Sequence, residues 1–534
     1  MSSTKKFLRP IMASYAAIAA IAATALSASL FAQSITVGLS GDITAFDPHY
    51  HNVGPNNASA GHVFEKLVGM DERQKLVSGL ALSWKAVDDL NWEFKLRKGV
   101  KWHDGTEFTA DDVIFTVDRV PKVPNSPSSF STYVRPIKAI KATDAHTLII
   151  TTEKPHPLLP NDLSTVYITS KKAATGATTE DFNSGKAAVG TGPYKFVRFA
   201  KGDRLELARN DAWWGGKTPW EKATLRLLTN DPARVAALLS GDVQAIENAP
   251  TADMSRLKAD KNLSLSRVGS NRLIYLHLDS NRDVTPFVTD KQGKPLAKNP
   301  LKDPLVRKAI SLAINRDAMV SRVMEGEAIA AGQPLPDGYP GTSKALKPDK
   351  FDAAQAKKLL ADAGYPDGFA MTIHTPNNRY VNDEQIAQAI AQMLSRIGIA
   401  MKVDAMPSSV YFTRATKLDF SFMLLGWSAG SGEMSDSLRP LLGTFDPKKG
   451  WGNANRGRYS NGKFDAMLED ALVTINDAKR EALLGRATEI AMADYGIIPL
   501  HFQMNVWAMK KNLTYTARTD ETTSAWMFKP TGTK

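Results

Sequence analysis

The chain has 534 residues, with 67 Lys and Arg against 55 Asp and Glu, and it contains no cysteine. Thiolate-ligated metals, disulfide frameworks and thiol catalysis all require cysteine, so these classes of site are excluded. Apolar residues make up 43% and charged residues 23%, as in an ordinary globular protein. At roughly 100–200 residues per domain, the length predicts about three domains or one large discontinuous body. The net charge of +12 is spread without a run of basic residues, so it does not indicate a nucleic-acid partner.

The segment 1–32 has the composition of a secretory signal peptide. Lys5, Lys6 and Arg9 form a positive head, residues 11–31 are apolar, and small residues precede a cleavage point after Ala32. A membrane anchor is the alternative, because the apolar run is about long enough to span a bilayer. Without cysteine the new N-terminus cannot carry a lipid. We therefore expect a soluble, exported protein whose signal peptide (1–32) is removed.

The rest of the sequence alternates predicted strands and helices. In the first half, apolar patterns predict strands at 34–39, 91–96, 147–152, 195–199 and 205–208. In the second half, Asp303 can cap a helix that has Pro304 at its first position. Another predicted helix, 352–363, ends at Gly364.

A strand–helix–strand unit follows at 369–405. Its strands are predicted at 369–374 and 399–405, and the helix between them (383–397) has an apolar face. A further strand at 419–426 ends before Trp427. Strands separated by helices of this length predict βαβ units and a mostly parallel, covered sheet.

Several segments, in chain order, carry a family resemblance. The longest, residues 79–119, reads GLALSWKAVDDLNWEFKLRKGVKWHDGTEFTADDVIFTVDR. Shorter segments follow: GTGPY at 190–194, RNDAWW at 209–214, ARVAALLSG at 233–241, VRKAI at 306–310, AINR at 313–316 and YSN at 459–461. Together they resemble the family 5 extracellular solute-binding proteins, which are the peptide- and nickel-type receptors of ABC importers.

The resemblance implies an α/β clamshell of the type II periplasmic-binding-protein class, with two lobes joined by a hinge. The expected first lobe covers 33–280, including an extra subdomain at about 80–190, and the second covers 281–494. Residues 495–534 then return to the first lobe. Hinge segments are expected near 275–281 and 495–501. A monomer without cofactors would deliver its solute to permease subunits that work with cytoplasmic ATPases.

The segment 79–119 also has a structural explanation. It supplies large apolar side chains for a core, namely Trp84, Trp92, Phe94, Trp102, Phe108 and Phe115. Gly99 and Gly105 suit turns, and Asp111 or Asp112 can cap the helix that follows. We therefore expect this segment to define the fold without touching ligand.

The first predicted ligand-binding segment is Asn377-Asn378-Arg379-Tyr380, between a strand and a helix of the second lobe. In peptide-binding relatives an Arg near this point pairs with the ligand carboxylate, and a guanidinium fits a carboxylate with two hydrogen bonds. We therefore name Asn378, Arg379 and Tyr380 as candidates. The alternative is that Arg379 is an ordinary surface residue.

The second segment is Gly-Trp-Ser-Ala-Gly at 426–430. Peptide-binding relatives often have an Asp shortly after this Gly-Trp, and it holds the α-ammonium group of the ligand. Here that Asp is missing, while Glu433 and Asp436 follow. Either Glu433 supplies the charge or the ligand has no free α-amine. Trp427 and Ser428 are further candidates, with Trp427 as a cleft wall.

In the first lobe, the polar loop 47–57 lies where relatives line the cleft. Asn56 and Asn57 are its candidates for ligand contact.

Two other chemistries fit parts of the sequence. Residues 426–430 match GxSxG, the nucleophile elbow of α/β-hydrolases, and Asp465 and His501 follow Ser428 in the order of a catalytic triad. No oxyanion segment precedes the match, so a hydrolase is disfavoured.

Metal binding is the second alternative. His49, His51 and His62 could hold nickel or zinc, as some relatives carry nickel complexes. No acidic cluster completes such a site, and nucleotide-binding motifs are absent, so ATP hydrolysis would belong to a partner. The sequence therefore predicts a periplasmic protein that captures an oligopeptide or peptide-like solute. A binding protein for another solute or a metal complex is the alternative.

Overall fold

The computed structural model describes residues 34–532, so the predicted signal peptide lies outside the described residues. Within this range no helix is both long enough and apolar enough to cross a membrane.

A sheet of 12 strands runs through the molecule. Its strands are Ser34–Leu39, Tyr194–Ala200, Arg204–Arg209, Lys222–Leu227, Ala245–Ile246, Leu263–Leu278, Val288–Thr289, Ala328–Ala330, Ala370–Pro376, Ala400–Met406, Phe422–Ser428 and Ile498–Lys510. Five of the strands predicted from the sequence, 34–39, 195–199, 205–208, 369–374 and 399–405, match members of this sheet to within one or two residues. The strand predicted at 419–426 is shifted, because residues 419–421 precede its start.

The prediction of a mostly parallel sheet is wrong, because most neighbouring strands are antiparallel. The two longest strands, Leu263–Leu278 and Ile498–Lys510, lie side by side in opposite directions. The predicted βαβ unit is confirmed: Ala370–Pro376 and Ala400–Met406 pair in parallel, with the helix Asp383–Ser395 between them. Long antiparallel pairings therefore connect shorter parallel units.

The buried side chains form separate cores at the two ends of the long strands. Residues 35–263 and 506–528 supply one group of cores, which we call the first lobe, and residues 273–502 supply the other, the second lobe. Alternation covers both sheet faces: Ile274 and Leu276 enter one core of the second lobe, and Leu273 and Tyr275 enter the other. The lobe borders expected at 280/281 and 494/495 stay a prediction.

Between the lobes, the ladder that joins the two long strands is irregular. Its register shifts between Gly269 and Leu273, opposite Phe502–Met504. Such an irregularity bends a strand and interrupts its pairing. The chain therefore changes direction where it passes from one lobe to the other.

A separate four-stranded sheet forms a subdomain of the first lobe. Its strands are Ala81–Ala86, Asn91–Leu96, Ile137–Asp144 and Thr147–Thr152. Of the six large side chains expected in a core, Trp92, Phe94, Trp102 and Phe108 are buried in the core of this sheet, while Trp84 packs against it partly buried. That segment 79–119 does not touch ligand stays a prediction. The helix Ala110–Arg119 is capped by Thr109, and Asp112 completes the capping box.

The helices pack around the central sheet and the four-stranded sheet. They are Gly54–Ala60, Ala110–Arg119, Ser131–Val134, Leu159–Leu163, Lys171–Ala174, Thr179–Asn183, Asp231–Ser240, Met254–Ala259, Pro304–Ala313, Arg316–Ala318, Ala353–Asp362, Asp383–Ser395, Ser408–Thr416, Ser435–Leu441, Gly462–Val473 and Asp477–Ala493. Asp303 caps its helix as predicted, accepting a hydrogen bond from the Leu305 amide at 2.8 Å. Two short hairpins pair Val68–Met70 with Leu76–Ser78 and Leu513–Thr514 with Lys529–Pro530.

Candidate functional site

The two lobes meet along a line of loops. The side-chain amides of Gln74 and Asn161 in the first lobe donate to the carbonyls of Ala429 and Ser431 in the second, each at 3.0 Å. Further along, Asn382 donates to Thr251 Oγ1 at 3.1 Å. The interlobe cleft therefore passes the end of strand Phe422–Ser428 and the start of helix Asp383–Ser395, where α/β proteins commonly bind ligands.

The predicted segment 377–380 is a tightly held loop. The Asp383 carboxylate accepts the backbone amides of Arg379 and Tyr380, both at 3.0 Å. Asn378 Oδ1 accepts the Ser408 amide at 2.8 Å. Tyr380, 8% exposed, donates its hydroxyl to the Gly426 carbonyl at 3.3 Å. Asn378 and Tyr380 thus fix the loop and carry Arg379 to the end of strand Phe422–Ser428.

Arg379 itself is exposed, and its guanidinium has no carboxylate within 4 Å among residues 34–532. It lies 5.2 Å from the centroid of the Tyr380 ring. Surrounding protein lowers the pKa of Arg379 by desolvation, and the like charge of Arg272 lowers it further. The nearby Glu521 carboxylate is occupied by two hydrogen bonds from Arg272, both 2.6 Å. Arg379 is therefore an exposed positive group that forms no ion pair within 4 Å among residues 34–532.

On the other side of this strand end lies an acidic group. The Trp427 indole donates to the Asp436 carbonyl at 3.1 Å, and the Asp436 carboxylate accepts the Ser431 amide at 3.0 Å. In the described chain, no basic side chain lies within 4 Å of that carboxylate. Burial raises the pKa of Asp436, Arg439 one helical turn away lowers it, and Asp162 of the first lobe raises it. Asp436 is therefore a half-buried acid without an ion-pair partner in the described chain, and it is within electrostatic reach of Asp162 of the first lobe.

The structure assigns Glu433 a structural position. Its side chain is 2% exposed and pairs with Arg480 at 2.7 Å, and it also accepts the Ser435 hydroxyl. Arg480 therefore neutralises Glu433 within the protein. Asp436, three residues further on, is the second acid after Gly-Trp and has no such ion pair among the described residues. The sequence shows that two acids follow Gly-Trp, but it does not show which of them forms an ion pair within the protein.

Three other candidates are engaged in hydrogen bonds within the protein. Ser428 Oγ donates to Asn271 at 2.5 Å. Asn56, 5% exposed, bonds the backbone and side chain of Thr44, and Asn57 donates to Asn52 at 2.8 Å. Of the eight predicted residues, the structure thus brings together Asn378, Arg379, Tyr380, Trp427 and Ser428 at one strand end. Among the described residues, no hydrogen bond joins the side chains of Asn56, Asn57 or Glu433 to these five.

The three residues of the hydrolase alternative, Ser428, Asp465 and His501, do not form a catalytic triad. Ser428 is bonded to Asn271, while Asp465 accepts the amide and hydroxyl of Thr444. His501 is fully buried in strand Ile498–Lys510, and neither ring nitrogen has a hydrogen-bond partner. Ser428, Asp465 and His501 therefore make no hydrogen bonds to one another.

The histidines proposed for a metal are likewise engaged. His49 contacts the Tyr167 carbonyl at 2.7 Å and Arg119 at 2.8 Å, and His62 accepts the Ala525 amide at 3.0 Å. His51 bonds Thr44 Oγ1 at 2.8 Å. Among residues 34–532 no group of three or more His, Asp or Glu is arranged to hold a metal ion.

A sheet shared by two lobes, with charged groups in the cleft between them, defines the class of type II periplasmic binding proteins. The chain belongs to the bacterial extracellular solute-binding proteins, family 5, whose middle-region model matches residues 75–449. The family resemblance stated from the sequence is thereby confirmed.

The relatives agree with this assignment over nearly the whole chain. The glutathione-binding protein GsiB of Pectobacterium atrosepticum is 29% identical over 497 residues, covering 90% of this chain and 91% of its own. GsiB of Escherichia coli K12 is 29% identical over 511 residues, with 92% and 94% covered.

Solved structures show the same fold. DppA of Helicobacter pylori, in complex with the peptide STSA, superposes with a TM-score of 0.75 at 25% identity, covering 93% of this chain and 98% of its own. NikZ of Campylobacter jejuni, in complex with Ni(L-His), has a TM-score of 0.76 at 23% identity, with 93% and 99% covered.

Proposed function

We propose that this protein captures a peptide-like solute with both a carboxylate and an ammonium group. One observation carries the proposal: Arg379, beside Tyr380, and Asp436, bonded to Trp427, carry opposite charges near the end of one strand, and neither has an ion-pair partner among residues 34–532. Arg379 can grip a carboxylate with two hydrogen bonds, and Asp436 can accept from an ammonium group. The GsiB proteins, named for glutathione, and the DppA complex with a peptide support this class of ligand.

Binding would act through closure of the lobes. A ligand held by groups of both lobes stabilises the closed arrangement over the open one, so binding shifts the population toward it. We propose that the chain bends at the register shift between Gly269 and Leu273. The closed protein would then dock on the permease of an ABC importer, and the solute would leave chemically unchanged.

The setting is part of the same proposal. Residues 1–32 would direct export and be removed, which would place a monomeric, lipid-free receptor in the periplasm. The family's extracellular location supports export.

The first test is the identity of the bound solute. Native mass spectrometry of protein purified without refolding should show one solute per chain, unchanged in mass after release. Calorimetry with a dipeptide, a tripeptide and glutathione then measures affinity. If none of the three binds and the co-purified solute lacks either a carboxylate or an amine, the proposed ligand class is wrong.

Two variants test the contacts. Arg379→Gln should weaken binding about 10- to 100-fold, because a charge-assisted hydrogen bond contributes about 1.5–3 kcal/mol, and amidation of the ligand carboxylate should cancel the difference. Asp436→Asn should do the same for a free amine, and N-acetylation should cancel it. Arg396→Gln and Asp470→Asn, on exposed residues of the same lobe, are the matched controls. Equal losses with the modified and unmodified ligands would contradict the assigned contacts.

A further inference from the structure

Gln74 connects the two lobes through its side-chain amide. It lies in the turn between strands Val68–Met70 and Leu76–Ser78 of the first lobe and is 5% exposed. Its nitrogen donates to the carbonyls of Ala429, at 3.0 Å, and Gly430, at 3.4 Å. Both carbonyls belong to the second-lobe loop that separates Trp427 from Asp436. The donor side of the amide is therefore fully used between the lobes.

The oxygen of the same amide is also shared. It accepts from Asn271 Nδ2 at 2.6 Å, from the Tyr339 hydroxyl at 3.3 Å and from Thr519 Oγ1 at 3.4 Å. Asn271 lies within the register shift of the strand that crosses between the lobes, and it donates a second bond to the Ala429 carbonyl at 2.7 Å. One carboxamide thus ties together the first lobe, the second lobe and the crossing strand.

The backbone at this point has an unusual conformation. Gln74 has φ +61°, a left-handed conformation in which a long side chain is unfavourable and in which Gly or Asn is common. Gly432, across the interface, has φ +67°, and a Cβ there would lie 3.0 Å from Gln74 Cβ. Gln74 therefore adopts an unfavourable backbone conformation at a point where it packs closely against the facing loop. Strained residues that are held by their surroundings mark functional positions.

We propose that Gln74 is a positioning residue for ligand binding. Its amide stabilises the closed arrangement of the lobes and holds the loop that carries Asp436 in place. No ligand contact is required of it, because all of its hydrogen-bonding positions face protein. The inference rests on the two-lobed fold, and it holds for any solute that the cleft takes.

The absence of cysteine allows a direct measurement of closure. Lys141→Cys and Lys479→Cys, at exposed positions of the two lobes, provide the only attachment sites for a pair of fluorophores. Energy transfer between them reports the interlobe distance in protein stripped of solute by unfolding and refolding. The comparison set is the parent, Gln74→Asn and Gln74→Gly, with Lys75→Ala, an exposed neighbour in the same turn, as the control.

Gln74→Asn separates closure from folding. Asn suits the left-handed backbone, so the turn should keep its conformation, but its amide is one methylene shorter and cannot reach the facing carbonyls. We expect Gln74→Asn and Gln74→Gly to shift the transfer distribution toward longer distances, and Lys75→Ala to match the parent. With the solute identified by mass spectrometry, or with the tripeptide as probe, affinity should fall about tenfold.

The outcomes are distinct. Distances unchanged in both Gln74 variants would overturn the proposal, whether or not their melting temperatures fall. If no peptide-like ligand binds the parent, the function proposed above fails, while the distance measurement still tests the role of Gln74.

Discussion

Replacing Arg480 with Met tests whether Glu433 is part of the core or part of the ligand site. Glu433 and Arg480 are 2% and 8% exposed, and their nearest charged atoms are 2.7 Å apart. Removing the guanidinium leaves a buried carboxylate without its counter-charge. Because breaking a buried pair from one side costs about 3–5 kcal/mol, we expect Arg480→Met to lose a free energy of unfolding of that size.

Matched variants separate the contributions of the two ion pairs of Arg480 to this loss of free energy of unfolding. Arg480 also pairs with Asp477, but that carboxylate is 79% exposed, so Asp477→Asn should cost less than about 1 kcal/mol. In the double variant Glu433→Gln/Arg480→Met no buried charge remains, and much of the loss should be recovered. Urea unfolding of the parent and the four variants (Arg480→Met, Asp477→Asn, Glu433→Gln and the double variant) gives the coupling free energy directly.

The pH dependence supplies a second measurement. Burial raises the pKa of Glu433, and the charge of Arg480 partly offsets that rise. Without Arg480 the pKa should rise further, so the folded state of the variant favours the protonated acid. A carboxyl whose pKa is raised on folding contributes stability below its unfolded pKa and loses it as pH rises through its folded pKa. The deficit of Arg480→Met should therefore be smaller at about pH 5 than at about pH 8.

Ligand binding decides between the two roles. If Glu433 held a ligand ammonium group, Glu433→Gln would reduce affinity strongly with little effect on unfolding, and Arg480→Met would leave stability nearly unchanged. That pair of results would refute the structural assignment.

Two further predictions concern the first lobe. Burial raises the pKa of Glu65 to about 7 from an ordinary value of 4.5, so the stability of the parent should fall as pH rises from about 4.5 to about 7, and Glu65→Gln should remove that slope in thermal unfolding. Gly190→Ala should lower the free energy of unfolding by on the order of 3 kcal/mol, because its Cβ would lie 1.8 Å from the Val63 carbonyl oxygen. Gly54→Ala is the control: its Cβ would meet nothing within 4 Å, so this variant should unfold like the parent. Equal melting temperatures for the two glycine variants would contradict this.

Local sequence signals predicted local structure well. Asp303 with Pro304 predicted a helix start, and the structure shows the capping bond. Such signals act within a single helical turn, so they remain readable without knowledge of the fold. The prediction of a mostly parallel sheet was wrong because Leu263–Leu278 and Ile498–Lys510 lie far apart in the sequence. The sequence of a strand does not show which distant strand it will pair with, or in which direction.

The site was predictable only in part. The position of Arg379 follows from a strand followed by a helix, a pattern that the sequence shows. The sequence does not show whether Glu433 or Asp436 is paired within the protein. In the structure Arg480, which belongs to a later helix, forms an ion pair with Glu433. Asn56 and Asn57 look like free polar groups in the sequence, but their partners come from the folding of their own loop. Gln74 carried no sequence signal, because its role comes from a turn conformation and a distant loop.

The strand Ile498–Lys510 lies between Leu263–Leu278 and Ala245–Ile246 in the sheet, and among the described strands of that sheet it comes last in the sequence. Before this strand is in place, no strand joins the half-sheet of the first lobe to the half-sheet of the second. Folding of either lobe to completion must therefore wait for it. If the chain is exported as proposed, the two half-sheets would join only after the strands that precede this one have crossed the membrane.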